Sequence, residues 1–178
     1  ALIKKLHMGL DAPFLFTDTT TSEMIKLSSN VFLANKISFI NSVSDLCEAV
    51  GANIDLVQEG IGLDKRIGQQ YLQAGVGFGG SCLPKDTKSF ASLMSKFGIE
   101  NQLIQEILNV NESHKSLPHE FAISRFNNGA SIKAGVLGLS FKPGTDDVRE
   151  AASIFNIRRL LESGANVRAH DPFANNNA

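Results

Sequence analysis

From Thr20 to Val50, apolar residues return at three- and four-residue steps through Met24, Leu27, Val31, Ala34, Ile37, Phe39, Ile40, Val43, Leu46, Cys47 and Val50. That rhythm is one face of a helix. Thr20-x-x-Glu23 gives it a capping-box start and Gly51 a stop. At 1.5 Å per residue the helix is roughly 45 Å long, more than a lone small domain needs. It reads as a spine between domains or subunits, and the rest of the chain must pack along it. Three more helices follow. One runs from Ile54 to about Gly60 behind an Asn53 cap. The next runs from Leu83 to Phe97, stops at Gly98 and carries Phe90, Leu93, Met94 and Phe97 as its core stripe. The last runs from about Asn101 to Asn127 with Ile104, Ile107, Leu108, Asn111, Phe121 and Phe126 in step. Pro118 is expected to kink or divide it, and Gly129 to close the helical part.

At Ile132 the pattern changes. Ala134-Gly135-Val136-Leu137-Gly138-Leu139-Ser140-Phe141 is a short apolar run like a buried parallel strand. A polar loop from Lys142 to Asp147, an amphipathic helix from about Ala151 to Ser163, and a second strand from Ala165 to Pro172 complete one βαβ unit. A sheet so small needs more strands beside it and helices on both faces. We therefore expect a lead-in over 1–19, with a turn and a brief strand-like run after Pro13, a helical domain over 20–130, and the start of an α/β domain over 131–178. The chain reads as the middle of a longer protein.

Composition excludes some functions. The net charge is −1 with signs mixed, so nothing marks a nucleic-acid or membrane surface. No apolar run spans a bilayer and Ala1-Leu2-Ile3-Lys4-Lys5 lacks a signal peptide's hydrophobic region, which points to the cytoplasm. Of two cysteines, Cys47 falls on an apolar helix face and reads as core. The histidines at 7, 114, 119 and 170 show no metal spacing, and no metal is expected.

The chemistry is concentrated in Gly75-Val76-Gly77-Phe78-Gly79-Gly80-Ser81-Cys82-Leu83-Pro84-Lys85-Asp86. Four glycines among six residues let backbone approach a ligand closely. Pro84 suits a first helical turn, which puts Cys82 at or near the N-cap. A thiol there faces unpaired N–H groups and the positive end of the helix dipole, both favouring thiolate. An isolated cysteine is more often simply buried, but the glycines before this one and the Lys85-Asp86 pair after it favour a nucleophile. Elsewhere, Lys26 and Asn30 share a helix face, and Arg66 offers a guanidinium fork suited to phosphate or paired hydroxyls; on residue type alone a solvated surface position is the better account of Lys26 and Asn30 and an equal one of Arg66.

Gly79 to Asp86 resembles the GG-S-C-LPKD signature of the nucleotide-sugar dehydrogenases, the UDP-glucose and GDP-mannose 6-dehydrogenase family. Glu23 to Ile37 is similar to that family's E-x-x-K-x-x-x-N-x-F-L-A-x-K-I helix, and Leu139 to Glu150 to its G-L-x-F-K-x-x-T-D-D-x-R-E loop. Ala151-Ala152 departs from the Ser-Pro often found there. The resemblance implies a long-helix dimerisation domain of the 6-phosphogluconate dehydrogenase type, followed by the beginning of a Rossmann-like domain, with the N-terminal NAD domain absent. It also implies a homodimer or higher homo-oligomer, a nucleotide-sugar substrate, and NAD as cofactor.

By that resemblance Cys82 is the covalent nucleophile. Lys26 and Asn30 reach the reacting carbon, with Lys26 steadying the oxyanion, and Asp86 orients or deprotonates water. Arg66, Gln73, Phe78, Gly79, Phe141 and Lys142 contact the substrate, Arg66 in some members from the neighbouring subunit. Cys82, Lys85 and Arg149 meet the cofactor. The implied reaction is oxidation of a hexose C6 alcohol to the acid. The 63–68 and 75–80 segments resemble the UDP-glucose branch and 10–13 the GDP-mannose branch. Two other classes stay open: a non-catalytic dimerisation module, and, ranked far below, a cysteine hydrolase, which would need a histidine near Cys82.

Overall fold

The computed structural model describes residues 2–126 and 132–178. A short helix, α1 (Leu2–Leu6), precedes the spine, α2 (Thr19–Val50); α3 (Ile54–Gly62), α4 (Leu83–Lys96) and α5 (Gln102–Phe126) complete the helical unit. Residues 13–17 form no strand, contrary to expectation, and Phe14, Leu15 and Phe16 stand exposed. The expected boundary near 130 and the closing Gly129 lie outside the described residues.

α2 is capped two residues earlier than the sequence implied. Asp18, not Thr20, is the N-cap: its carboxylate accepts the Thr21 backbone N–H at 2.9 Å and the Thr21 hydroxyl at 2.7 Å. An aspartate also suits the dipole better than a threonine would. Gly51, at φ 76°, ends the helix in the left-handed conformation that favours glycine.

The core is where α2, α4 and α5 meet. Val31 and Ala34 of α2 pack with Phe78, with Ala91 of α4, and with Ile104 and Ile107 of α5. The periodic residues of α2 divide between two faces. Phe39, Leu46 and Val50, expected inside, are exposed, because the core takes only the stripe through Val31, Ala34, Ile40 and Cys47. Phe97, Phe121 and Phe126 also stand outward. α5 runs through Pro118 as one helix rather than two.

The second unit has two parallel strands, β1 (Lys133–Leu137) and β2 (Asn166–His170), paired from Lys133 with Asn166 to Leu137 with His170, and α6 (Ala152–Glu162) between them. Ile132, Leu160 and Ala165 pack against Ala122 and Ile123, so the end of α5 carries this unit. β1 is shorter than expected and alternately exposed, since among the described residues nothing covers Leu137, 86% exposed. Asp171 ties the strand ends together, accepting the backbone N–H groups of Leu139 (2.7 Å), Phe173 (2.7 Å) and Ala174 (2.9 Å). Those N–H groups hold its carboxyl far below the usual carboxylate range.

Candidate active site

The glycine-rich loop is held from both sides by buried amides. Asn41 of α2 accepts the Gly75 N–H at 2.8 Å, while Asn111 of α5 accepts the Phe78 N–H at 2.6 Å and donates to the Phe78 carbonyl at 3.2 Å. With Phe78 buried between them, the loop runs in one path to α4. Cys82 takes the N-cap position of α4, as expected. Its carbonyl accepts the Asp86 N–H at 2.9 Å, and its side chain makes no cap bond and is exposed.

Three glycines admit neighbouring protein at close quarters. A Cβ on Gly77, at φ 83°, would lie 2.6 Å from Asn111 Oδ1; on Gly80, at φ 80°, 2.7 Å from the Phe141 ring; on Gly79 it would overlap the Glu150 carbonyl oxygen. Gly80 also donates its N–H to the Arg149 carbonyl at 2.9 Å. The loop is therefore the seam between the helical unit and the βαβ unit. Gly75, Gly77 and Gly80 carry the spacing of a dinucleotide fingerprint, but no strand precedes them, and side chains of this protein fill the space beside two of them. They do not form a pyrophosphate loop.

Around Cys82 opens a cleft of about 740 Å³ whose lining includes Lys26, Asn30, Gln73, Phe78, Gly79, Phe141 and Lys142. Eight expected residues, counting Cys82, thus converge from α2, the loop and the second unit. Tyr71 lines it too, in a positive-φ conformation (63°) unusual for a non-glycine residue. Two ammonium groups and no carboxylate line the cleft among the described residues, so it favours an anionic ligand. A second cleft, about 780 Å³, opens over β1 and α6 and holds no candidate nucleophile.

Asp86 is set back. It is 6% exposed and accepts from Asn30 Nδ2 at 2.5 Å, with Lys85 Nζ at 3.2 Å. Burial would raise its pKa, but the Asn30 hydrogen bond, the Lys85 hydrogen bond and charge, and the Lys26 charge together bring it below the usual value. Asp86 therefore anchors Asn30 from behind the cleft wall.

Three expected residues lie off the cleft. Arg66 is exposed and doubly bonded to Asp64, at 3.0 and 2.6 Å. Its segment is pinned to α2 by Lys36 Nζ, which donates to the carbonyls of Ile67 (3.0 Å) and Gly68 (3.2 Å). Arg149 is held the same way by Asp147, at 2.9 and 2.6 Å, and that pairing lowers the Asp147 pKa to about 2. The pKa of Arg149 is raised in turn, first by its hydrogen bond to Asp147 and then by the Asp147 charge, with Cys82 a smaller cause. Lys85 is exposed, with its ammonium paired to Asp86. Among the described residues no group of three or more His, Cys, Asp or Glu is placed to hold a metal.

Asn111 stands in step with the apolar face of its helix in the sequence, but only the structure shows it holding the loop; Asn41 carries the same signal, an amide within an apolar helix face. Tyr71 had none.

Together, a long-helix unit leading into a parallel βαβ unit, with a cysteine at their seam, define a class of proteins built around a helical spine joined to an α/β unit. Residues 20–113 match the central domain of the UDP-glucose/GDP-mannose dehydrogenase family, and residues 135–178 match its UDP binding domain. The chain belongs to that family. It is 44% identical to the UDP-glucose 6-dehydrogenase YwqF of Bacillus subtilis, over 97% of this chain and 39% of the relative. Its fold matches a UDP-glucose dehydrogenase from Pyrobaculum islandicum with a TM-score of 0.94 and 43% identity, over 97% of this chain and 40% of the other. The match to a GDP-mannose dehydrogenase from Pseudomonas aeruginosa is 31% identical with a TM-score of 0.53, over 94% and 38%. The chain thus spans about two fifths of the length of the relatives it matches.

Proposed function

We propose that this chain is the central part of an NAD-dependent enzyme that oxidises the C6 hydroxyl of UDP-glucose to the carboxylate of UDP-glucuronate. The observation that carries this reading is the gathering of Lys26, Asn30, Cys82, Phe141 and Lys142 around one carboxylate-free cleft. The higher TM-score to the UDP-glucose enzyme than to the GDP-mannose enzyme favours UDP-glucose; GDP-mannose is the alternative.

Bound NAD⁺ would accept a hydride in each of two oxidations. Lys85, in the first turn after Cys82, and Arg149, whose backbone carbonyl holds Gly80, are exposed cations suited to an anionic dinucleotide, and the described residues form no pyrophosphate loop. After the alcohol has become an aldehyde, the Cys82 thiolate adds to the carbonyl carbon. The resulting alkoxide gains a proton to give a thiohemiacetal. Loss of a second hydride and a proton leaves a thioester, which water hydrolyses to carboxylate and free thiol. Lys26, on the same wall, stabilises the oxyanion formed when thiolate or water adds, and the Asn30 amide supplies a second donor. Asp86 fixes that amide from behind the wall, so it orients the attacking water through Asn30, and its lowered pKa does not favour taking the water's proton. Phe141 and Lys142 contact the nucleotide sugar opposite, with Gln73, Phe78 and Gly79 beneath it.

The working unit is a homodimer or higher oligomer. Ile25, Phe32, Phe39 and Leu46 recur every seven residues on the outer face of α2, 45%, 63%, 55% and 63% exposed, as an interhelical seam requires. Arg66, off its own cleft, would then serve the partner's. NADH production from UDP-glucose by the complete protein tests the reading; no turnover with UDP-glucose or GDP-mannose would leave the dimerisation module as the better account.

A further inference from the structure

Pro118 interrupts the hydrogen-bond ladder of α5, because it has no N–H to donate and its ring crowds the preceding turn. The second unit enters at the next rung of the ladder, between the His119 N–H and the Lys115 carbonyl. Asn156 of α6, 6% exposed, inserts its amide there: Oδ1 accepts the His119 N–H at 3.0 Å, and Nδ2 donates to the Lys115 carbonyl at 2.7 Å and to the Ala152 carbonyl at 2.7 Å. Lys115 itself is 3% exposed, and its ammonium lies 3.2 Å from Glu112 and 3.5 Å from Glu150. Those two carboxylates offset the cost of burying its ammonium. Two ties from one turn of α5 thus end on α6 and on Glu150, two residues before it.

Glu150 continues the path to the cleft. Its φ is 53°, its carbonyl oxygen packs on Gly79, and the Arg149 carbonyl before it accepts the Gly80 N–H. Phe141, whose N–H donates to the Asp147 carbonyl at 3.0 Å, covers Gly80 from the same loop. A shift of α6 along α5 would therefore move residues 149–151, and with them the wall made by Phe141 and Lys142.

We infer that Asn156 and Lys115 are positioning residues: seated in and beside the Pro118 breach, they fix Phe141 and Lys142 as the cleft wall facing Cys82. The inference rests on the sugar-binding reading of that cleft. Neither residue touches the cleft itself, so each acts through the 141–150 loop.

The test uses Asn156→Ala and Lys115→Met in the complete protein, with hydrogen exchange of the Gly80 amide and steady-state kinetics with UDP-glucose. Asn156→Ala should speed Gly80 exchange roughly tenfold or more, the order expected when a buried donor and acceptor lose their partner. The amides of α2 around Val31 and Ala34 should keep their rates. KM for UDP-glucose should rise severalfold more than kcat falls, and Lys115→Arg, which keeps the ion pairs, should stay near wild type. Uniform faster exchange across α2, α4 and the loop with KM unchanged would overturn the inference, leaving only a stabilising role. Should Asn156→Ala not fold, Lys115→Met carries the same readouts. If Gly80 exchange responds as expected but the wild type neither binds nor oxidises UDP-glucose, the positioning stands and the substrate reading falls.

Discussion

Gly79→Ala and Gly75→Ala lie four residues apart in one loop, and the structure requires them to act in opposite directions. A Cβ at Gly79 would overlap the Glu150 carbonyl oxygen and sit 3.0 Å from its carbon and 3.4 Å from Ala151 Cα, all backbone atoms that no rotamer change can remove. Relief needs the two loops to part. Overpacking of this kind costs about 1–3 kcal/mol. Loss of the adjacent Gly80–Arg149 hydrogen bond adds about 1 kcal/mol, for roughly 2–4 kcal/mol in all. A Cβ at Gly75 meets nothing within 4 Å, and that backbone is not left-handed. Gly75→Ala should be neutral, or stabilise by about 0.4–1 kcal/mol through a less flexible unfolded chain. Urea denaturation followed by circular dichroism gives both values, and Gly79→Ala should also raise KM for the sugar nucleotide. Equal unfolding free energies for the two variants, within about 0.5 kcal/mol, a typical scale for surface substitutions, would refute the claim that this loop is the seam between the units.

Other expected outcomes follow from the same contacts. Asn111→Ala strands both the N–H and the carbonyl of buried Phe78 and should cost about 2–4 kcal/mol in the same denaturation assay. Asp86 has a folded-state pKa below its ordinary 3.8, so its contribution to stability is present above that value and lost as pH falls through the folded pKa. The melting temperature of the wild type should accordingly exceed that of Asp86→Asn at neutral pH, with the gap closing only in acid below 3.8. Phe32→Asp with Phe39→Asp places charge on the exposed seven-residue stripe and should shift the complete protein toward monomer in analytical ultracentrifugation, while a monomeric wild type would remove the dimer proposal.

The helices were legible in the sequence wherever one residue type decided an end: Asn53, Gly51 and Pro84 each mark a boundary seen in the structure. The Asp18 cap was missed because Thr20 and Glu23 imitate a capping box, and the backbone geometry that selects between such neighbours is set three-dimensionally. Periodicity placed Phe39 and Leu46 with Ile40 and Cys47, since a helix apolar on two faces cannot say which face meets its own chain. The site was legible as local motifs around Lys26, Cys82 and Phe141. Their meeting was not, because it depends on Asn111 and Asn156, single amides joining elements more than 30 residues apart. Pro118 reads in sequence as a break, whereas the structure uses it as a socket for Asn156.

The central claim, a covalent cysteine performing two oxidations in one cleft, is tested most directly by counting NADH formed per UDP-glucose consumed by the complete protein and by its Cys82→Ala and Cys82→Ser variants. The account predicts two NADH per sugar for the wild type and no completed oxidation to the acid in either variant. A variant that still yields UDP-glucuronate with two NADH per sugar would contradict it.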